Sequence, residues 1–136
     1  MTVLQFLKLY GVGAVVCFGL DLVWLGVVAR GFYQRHLGYI MRPDVRWVPA
    51  ALFYLLYVAA LVVFVVMPAV EKQSLTRAVA LGAFFGLAAY AAYDLTSLAL
   101  IKDYPLVAAL VDLAWGAALS AVVSGAVYAV AQLGRS

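Results

Sequence analysis

Three aspartates lie inside stretches of sequence that are otherwise almost entirely apolar: Asp21, Asp94 and Asp112. A carboxylate at membrane depth is costly unless it is paired, protonated or hydrated, so intramembrane acids often mark proton relays, ion paths or binding sites. We take the three as candidate catalytic residues, with Asp94 and Asp112 suited to shuttling a proton. The sequence has no phosphate-binding loop, nucleophile elbow or metal-ligand cluster that would specify a reaction.

Small and polar residues recur every three or four positions around each aspartate, which places them on one helical face. Before Asp94, the pair Gly82-x-x-x-Gly86 permits close contact with a neighbouring helix. The faces predict a polar pocket inside a helix bundle, lined by Asp21, Trp24, Tyr54, Tyr57, Tyr90, Tyr93, Asp94, Thr96, Ser97, Asp112 and Trp115. The alternative is that the aspartates only hydrogen-bond neighbouring side chains and hold the helices in register.

Two of the apolar stretches carry a similar phrase, in which a tryptophan follows an aspartate by three residues. The phrases are Asp21-Leu-Val-Trp24 and Asp112-Leu-Ala-Trp115. An indole N–H on the same helical face could donate to a carboxylate. An inverted repeat is one interpretation and chance is the other, because so few residues cannot establish a repeat.

A basic segment from Arg30 to Trp47 could cover the pocket as a lid. Its apolar residues Tyr33, Leu37, Ile40 and Met41 follow helical spacing, which predicts a short amphipathic helix at the membrane interface. An ordinary positively charged loop is the alternative. The candidate lid and headgroup residues are Arg30, Arg35, His36, Arg42 and Arg46. Arg30, Arg35 and Arg46 would supply countercharges, and His36 could assist near neutral pH.

Composition identifies the scaffold that must position these residues. Of 136 residues, 68% are hydrophobic and 11% are charged, and the mean hydropathy is +1.09. Soluble domains are about half apolar and about a quarter charged, so a water-soluble enzyme, a disordered tail and a disulfide scaffold are excluded. A helix needs about 20 apolar residues to cross a bilayer. The sequence therefore predicts an all-α, four-helix transmembrane bundle forming a single domain over residues 1–136, with spans at about 3–29, 48–68, 75–101 and 106–133.

Four spans place both termini on one side of the membrane and the first and third loops on the other. Counted from the span ends, all three aspartates lie roughly 9–12 Å below the surface that bears those two loops. Lys8 precedes most of span 1, whereas four arginines follow it. The positive-inside rule therefore favours a cytoplasmic location for the first loop.

Single occurrences of Cys17 and His36 limit the cofactor chemistry of one chain. Neither an intramolecular disulfide nor a bis-histidine haem site can form, so no cofactor and no metal are predicted. The net charge of +3 is spread along the chain without a basic run, so no nucleic-acid partner is expected. The expected partners are membrane lipids, and the further candidates are a second copy of the chain and a membrane complex.

Several phrases resemble the family of small membrane proteins known as domain of unknown function 2177. They are Asp21-Leu-Val-Trp24-Leu-Gly26, Phe32-Tyr33, Phe53-Tyr54 with Leu56-Tyr57, Tyr93-Asp94-Leu95-Thr96 and Asp112-Leu-Ala-Trp115-Gly116. The resemblance implies a four-span bacterial inner-membrane protein without an established activity. Its relatives are often encoded near enzymes that modify fatty acyl chains, which implies a lipid-related role. The family usually has Asn after the Tyr-Asp-Leu-Thr phrase, where this chain has Ser97.

Three functions follow as hypotheses. The first is an accessory or modifying role in membrane lipids, which the basic loop beside the acidic layer favours. The second is a small proton-coupled transporter that would act as an oligomer, since four spans are few. The third is a structural or assembly subunit of a membrane complex.

Overall fold

The structure, a computed structural model, describes residues 3–28, 30–39 and 47–135, and over those ranges it is helical with short connections and no strand. The predicted all-α fold is therefore confirmed. The α-helices are α1 (Val3–Val23), α2 (Arg30–Leu37), α3 (Trp47–Leu61), α4 (Met67–Glu71), α5 (Leu75–Leu100) and α6 (Leu106–Arg135). A π-helical turn, Trp24–Val28, follows α1, and a second one, Val62–Val66, joins α3 to α4.

Four helical segments are long and apolar enough to cross a membrane, as predicted. They are span 1 (Val3–Val27), span 2 (Val48–Glu71), span 3 (Leu75–Leu100) and span 4 (Leu106–Leu133). Large apolar side chains cover the outside of the bundle, where Phe64 and Phe84 are each 68% exposed. Polar Ser120 and Ser124 are fully buried inside it. A lipid environment explains this arrangement, because it solvates an apolar exterior.

Span 2 ends later than the sequence predicted. The sequence predicted its end at about residue 68, yet the helix continues through Pro68 to Glu71. Proline lacks an N–H, and its ring clashes with the carbonyl four residues earlier in a regular α-helix. The π-helical turn just before Pro68 relieves this conflict, because the Met67 N–H donates to the Val62 carbonyl, one residue further back than α-helical pairing.

Spans 3 and 4 form the tightest helix pair because small residues face each other along the contact. A Cβ atom added to Gly82 would lie 2.8 Å from the backbone oxygen of Ser120. One added to Gly86 would collide with the backbone oxygen of Gly116. Close backbone approach of this kind is typical of Gly-x-x-x-Gly contacts in membranes. Ser74 begins span 3 by accepting a hydrogen bond from the Arg77 N–H at 3.0 Å.

The first loop contains a helix, α2, but it is shorter than the sequence pattern suggested. It ends at Leu37, and a turn follows at residues 38–39. Its apolar residues Tyr33 and Leu37 pack onto the end of the bundle, and both line a cavity there. The predicted continuation through Ile40, Met41 and Arg42 lies outside the described residues, as does Arg46. The same applies to the side chain of Arg30.

Candidate functional site

A cavity of about 260 Å³ lies at the end of the bundle that bears the first and third loops. It is formed by the π-helical turn after α1, by α2, by the end of span 3 and by the start of span 4. Its lining consists of Leu25, Tyr33, Leu37, Tyr93, Asp94, Tyr104, Ala108 and Asp112. Two of the three intramembrane aspartates therefore meet at one open space.

Asp94 and Asp112 form a carboxyl pair in this cavity. Asp94 is fully buried, and neither of its carboxylate oxygens accepts a hydrogen bond from a donor among the described residues. The Asp112 carboxyl is its close neighbour, near enough for a hydrogen bond between the two groups when one of them is protonated. Two neighbouring carboxylates repel each other, and such a pair is suited to sharing one proton.

Tyr33 connects the first loop to this pair. Its hydroxyl donates to Asp112 Oδ1 at 2.9 Å and accepts from the Trp24 indole N–H at 3.2 Å. Burial raises the pKa of the Tyr33 phenol above its ordinary value, which keeps the phenol as a donor. The π-helical turn that carries Trp24 directs its indole toward α2, and such turns are often found at functional sites.

Asp21 lies behind this pair rather than in the cavity. It is 5% exposed, and its Oδ1 accepts a hydrogen bond from the Trp115 indole N–H at 3.0 Å. The Trp24 and Trp115 rings stack with centroids 4.5 Å apart and planes 5° apart. Each tryptophan thus interacts with the aspartate of the other span: Trp115 donates to Asp21 directly, and Trp24 is linked to Asp112 through the Tyr33 hydroxyl. This crossed arrangement uses both Asp-x-x-Trp phrases.

Tyrosines from the third loop and span 3 complete the cavity. Tyr104 is buried and interacts with the Tyr93 hydroxyl, whereas Tyr93 itself is 58% exposed. Burial raises the pKa of Tyr104 above its ordinary value. Close by, the Tyr39 hydroxyl donates to the backbone oxygen of Asp103 at 2.8 Å and ties the first loop to the third.

Several residues predicted for the pocket lie elsewhere in the bundle. Tyr57 hydrogen-bonds Ser120 in the core, and Tyr54 packs on the Phe18 ring with centroids 4.8 Å apart. Tyr90 lies over Gly116, since a Cβ added to that glycine would collide with the Tyr90 ring.

The remaining two predicted pocket residues, on span 3, are also outside the lining. Thr96 is exposed, and its hydroxyl donates to Ala92 and Tyr93 carbonyls of its own helix, a local bond typical of threonine in helices. Ser97 is buried but is not part of the cavity lining.

The predicted lid residues that the structure describes make local contacts. Arg35 is exposed and donates to the Gly31 carbonyl at 3.3 Å, and His36 Nδ1 lies 2.9 Å from the Phe32 carbonyl. Neither residue lines the cavity. Tyr33 and Tyr104, which do line it, were absent from the predicted pocket. The signals for Tyr33 were its place in the amphipathic pattern and in the Phe32-Tyr33 phrase; Tyr104 had none beyond its position in the short third loop.

Among the described residues, no group of three or more His, Cys, Asp or Glu side chains is arranged to hold a metal ion. The site offers two neighbouring carboxyl groups that can bind a proton or accept hydrogen bonds, enclosed by tyrosines and aliphatic side chains.

Comparison with protein families identifies a match over most of the chain. The family described as "Predicted membrane protein (DUF2177)" matches residues 6–129, which is nearly the whole chain. No curated protein and no solved structure matches it.

Proposed function

This chain belongs to the DUF2177 family of predicted membrane proteins, and we propose that it receives the polar end of a membrane lipid in the acidic cavity. In this proposal it acts as an accessory or modifying protein of membrane lipids. It resides in the bacterial inner membrane, with the first loop on the cytoplasmic side.

The observation that carries the proposal is the fully buried Asp94 carboxyl, which lies in an open cavity and has no hydrogen-bond partner in the described part of the chain. A buried polar group without a partner costs about 1–3 kcal/mol, so nearly all buried polar groups are satisfied. The Asp94 carboxyl is an exception that faces an open space, and a ligand in that space would complete its hydrogen bonds.

The position and size of the cavity favour the polar end of a lipid. Two of its lining residues, Leu25 and Tyr93, are 47% and 58% exposed on the outer surface of the bundle, where lipid would lie. Pockets that enclose whole small molecules usually measure about 300–1,000 Å³. A volume of about 260 Å³ suits a headgroup whose acyl chains remain in the bilayer.

A deletion strain tests this function when it is complemented with variants. We expect deletion to change the lipid profile, and wild-type protein and Asp103→Asn to restore it. Asp94→Asn and Ala108→Leu should fail to restore it although both reach the membrane in normal amounts. Asp103 is an exposed loop aspartate, and Asn tolerates its positive φ of 60°. An unchanged lipid profile in the deletion strain during growth and oxidative stress would contradict the proposal.

The carboxyl pair also favours a second candidate, a proton-coupled transporter. A proton shared by Asp94 and Asp112 could exchange with one side of the membrane, and assembly into an oligomer could provide the access to the other side that transport also requires. Reconstituted vesicles test it: proton-driven flux should be present with wild-type protein and lost with Asp112→Asn. If Asp94 and Asp112 variants instead alter only co-purification with other proteins, the assembly-subunit hypothesis replaces both.

A further inference from the structure

We propose that the group bound in this cavity is a primary ammonium, supplied by the headgroup of an aminophospholipid. This inference rests on the proposed function and specifies its ligand.

The charge of the cavity favours a cation. Among the residues that the structure describes, the lining contains the Asp94 and Asp112 carboxyls and no basic side chain. With one shared proton the pair carries a single negative charge, which one ammonium neutralises. A phosphate or carboxylate placed there would meet like charge, and burying an unpaired charge is strongly unfavourable.

The hydrogen-bonding pattern favours a donor-rich cation. The Tyr33 hydroxyl already directs its proton to Asp112, and no donor among the described residues occupies the Asp94 oxygen that the shared proton leaves open. A primary ammonium has three N–H donors and no acceptor. It could therefore satisfy both carboxyl groups at once, whereas a quaternary ammonium has no N–H to donate.

The tyrosines add a contribution that is common to all ammonium groups. Tyr33, Tyr93 and Tyr104 line the cavity, and cations are attracted to the faces of aromatic rings. Attraction of this kind alone would favour a methylated, easily dehydrated ammonium. The carboxylate oxygens that the shared proton leaves open reverse the order of preference, so affinity should rise with the number of N–H groups.

The source of the ammonium is the membrane rather than solution, because exposed Leu25 and Tyr93 connect the cavity to the lipid-facing surface. Acyl chains that remain in the bilayer would anchor the headgroup there. Free ethanolamine offers the same ammonium without this anchor, so it should bind much more weakly.

A lipid series with one variable tests the inference. Purified full-length protein in detergent micelles is titrated with dioleoyl phosphatidylethanolamine, its N-methyl and N,N-dimethyl derivatives, and dioleoyl phosphatidylcholine, and complexes are counted by native mass spectrometry. Because a hydrogen bond to a charged group contributes about 1.5–3 kcal/mol, we expect about a tenfold or greater loss of affinity between the first and last lipid. Dioleoyl phosphatidylglycerol should bind no better than the choline lipid.

Variants link the preference to the cavity. Asp94→Asn and Asp112→Asn should each lower the affinity for the ethanolamine lipid to that for the choline lipid. Ala108→Leu should lower the affinity for all five lipids, because the larger side chain fills the cavity. Asp103→Asn should leave the series unchanged. Circular dichroism and gel filtration identify a variant that has not folded, and the remaining cavity variants then decide.

Distinct outcomes overturn distinct claims. Affinity that is flat or rises with methylation, or a preference for phosphatidylglycerol that Asp94→Asn removes, overturns the primary ammonium but leaves lipid binding intact. Free ethanolamine that displaces the lipid at equal concentration overturns the headgroup as its source. If no lipid binds differently to wild type and the cavity variants, the proposed function fails as well.

Discussion

Replacing Asp94 by asparagine should leave the fold intact or stabilise it, although the residue is fully buried. The wild-type carboxyl has no donor among the described residues and faces Asp112. An asparagine of the same shape supplies an N–H₂ group that can donate to Asp112, and it removes one of two neighbouring acids. A hydrogen bond to a charged group is worth about 1.5–3 kcal/mol, but the amide replaces the hydrogen bond of the shared proton, and losing that bond offsets part of the gain. We expect the free energy of unfolding to rise by about 1 kcal/mol.

Denaturant unfolding of the purified protein in detergent micelles, followed by circular dichroism, measures this change. Asp103→Asn is the matched control, because it makes the same chemical substitution at an exposed position and should stay within about 0.5 kcal/mol of wild type. A loss of more than about 1 kcal/mol in Asp94→Asn would refute the reasoning. It would mean that Asp94 holds the helices in register, as the structural interpretation of the aspartates requires.

Other substitutions test the surrounding network and the helix contact. Trp115→Phe should destabilise the protein by about 1.5–3 kcal/mol because it removes the hydrogen bond to the buried Asp21, whereas Trp24→Phe should cost only about 0.5–1.5 kcal/mol, since Tyr33 still donates to Asp112. Equal losses of the two variants in denaturant unfolding would contradict these separate roles. Gly86→Ala should cost about 1–3 kcal/mol by separating spans 3 and 4, while Gly19→Ala, whose added Cβ meets nothing within 4 Å, should be neutral or stabilising, and a tolerated Gly86→Ala would contradict the close contact. Thermal stability should fall as the pH rises through 10, because the folded state keeps Tyr33 protonated above the ordinary pKa of 10.0 and the unfolded state does not. The stability of Tyr33→Phe should fall less steeply with pH, and a pH profile identical to that of wild type would contradict the burial of that phenol.

The membrane bundle and the convergence of the aspartates could be predicted from the sequence. Unbroken apolar stretches specify the spans, and counting residues from their ends places Asp94 and Asp112 at one depth on adjacent helices. Span 2 was predicted to end at about residue 68, and the π-helical turn that lets the helix continue through Pro68 has no clear sequence signature.

The three aspartates differ in their hydrogen-bond partners, and this difference depends on tertiary contacts that the periodicity of the sequence does not specify. All three lie on polar helix faces, yet the Trp115 indole satisfies Asp21 while Asp94 remains without a donor among the described residues. The role of Tyr33 depends on how α2 folds back over the end of the bundle. Similarly, Tyr54 and Tyr57 were assigned to the pocket by depth alone, but their rings turn toward other neighbours.

The central claim is that Asp94 and Asp112 form a proton-sharing pair in a cavity that a lipid headgroup can enter, while Asp21 is enclosed. Dicyclohexylcarbodiimide, an apolar reagent that modifies protonated carboxyls, tests this directly when the modified peptides are identified by mass spectrometry. The account predicts one modification per chain, at Asp94 or Asp112 and not at Asp21, and slower labelling in phosphatidylethanolamine than in phosphatidylcholine. Labelling at Asp21, or labelling of the pair at the same rate in both lipids, would contradict it.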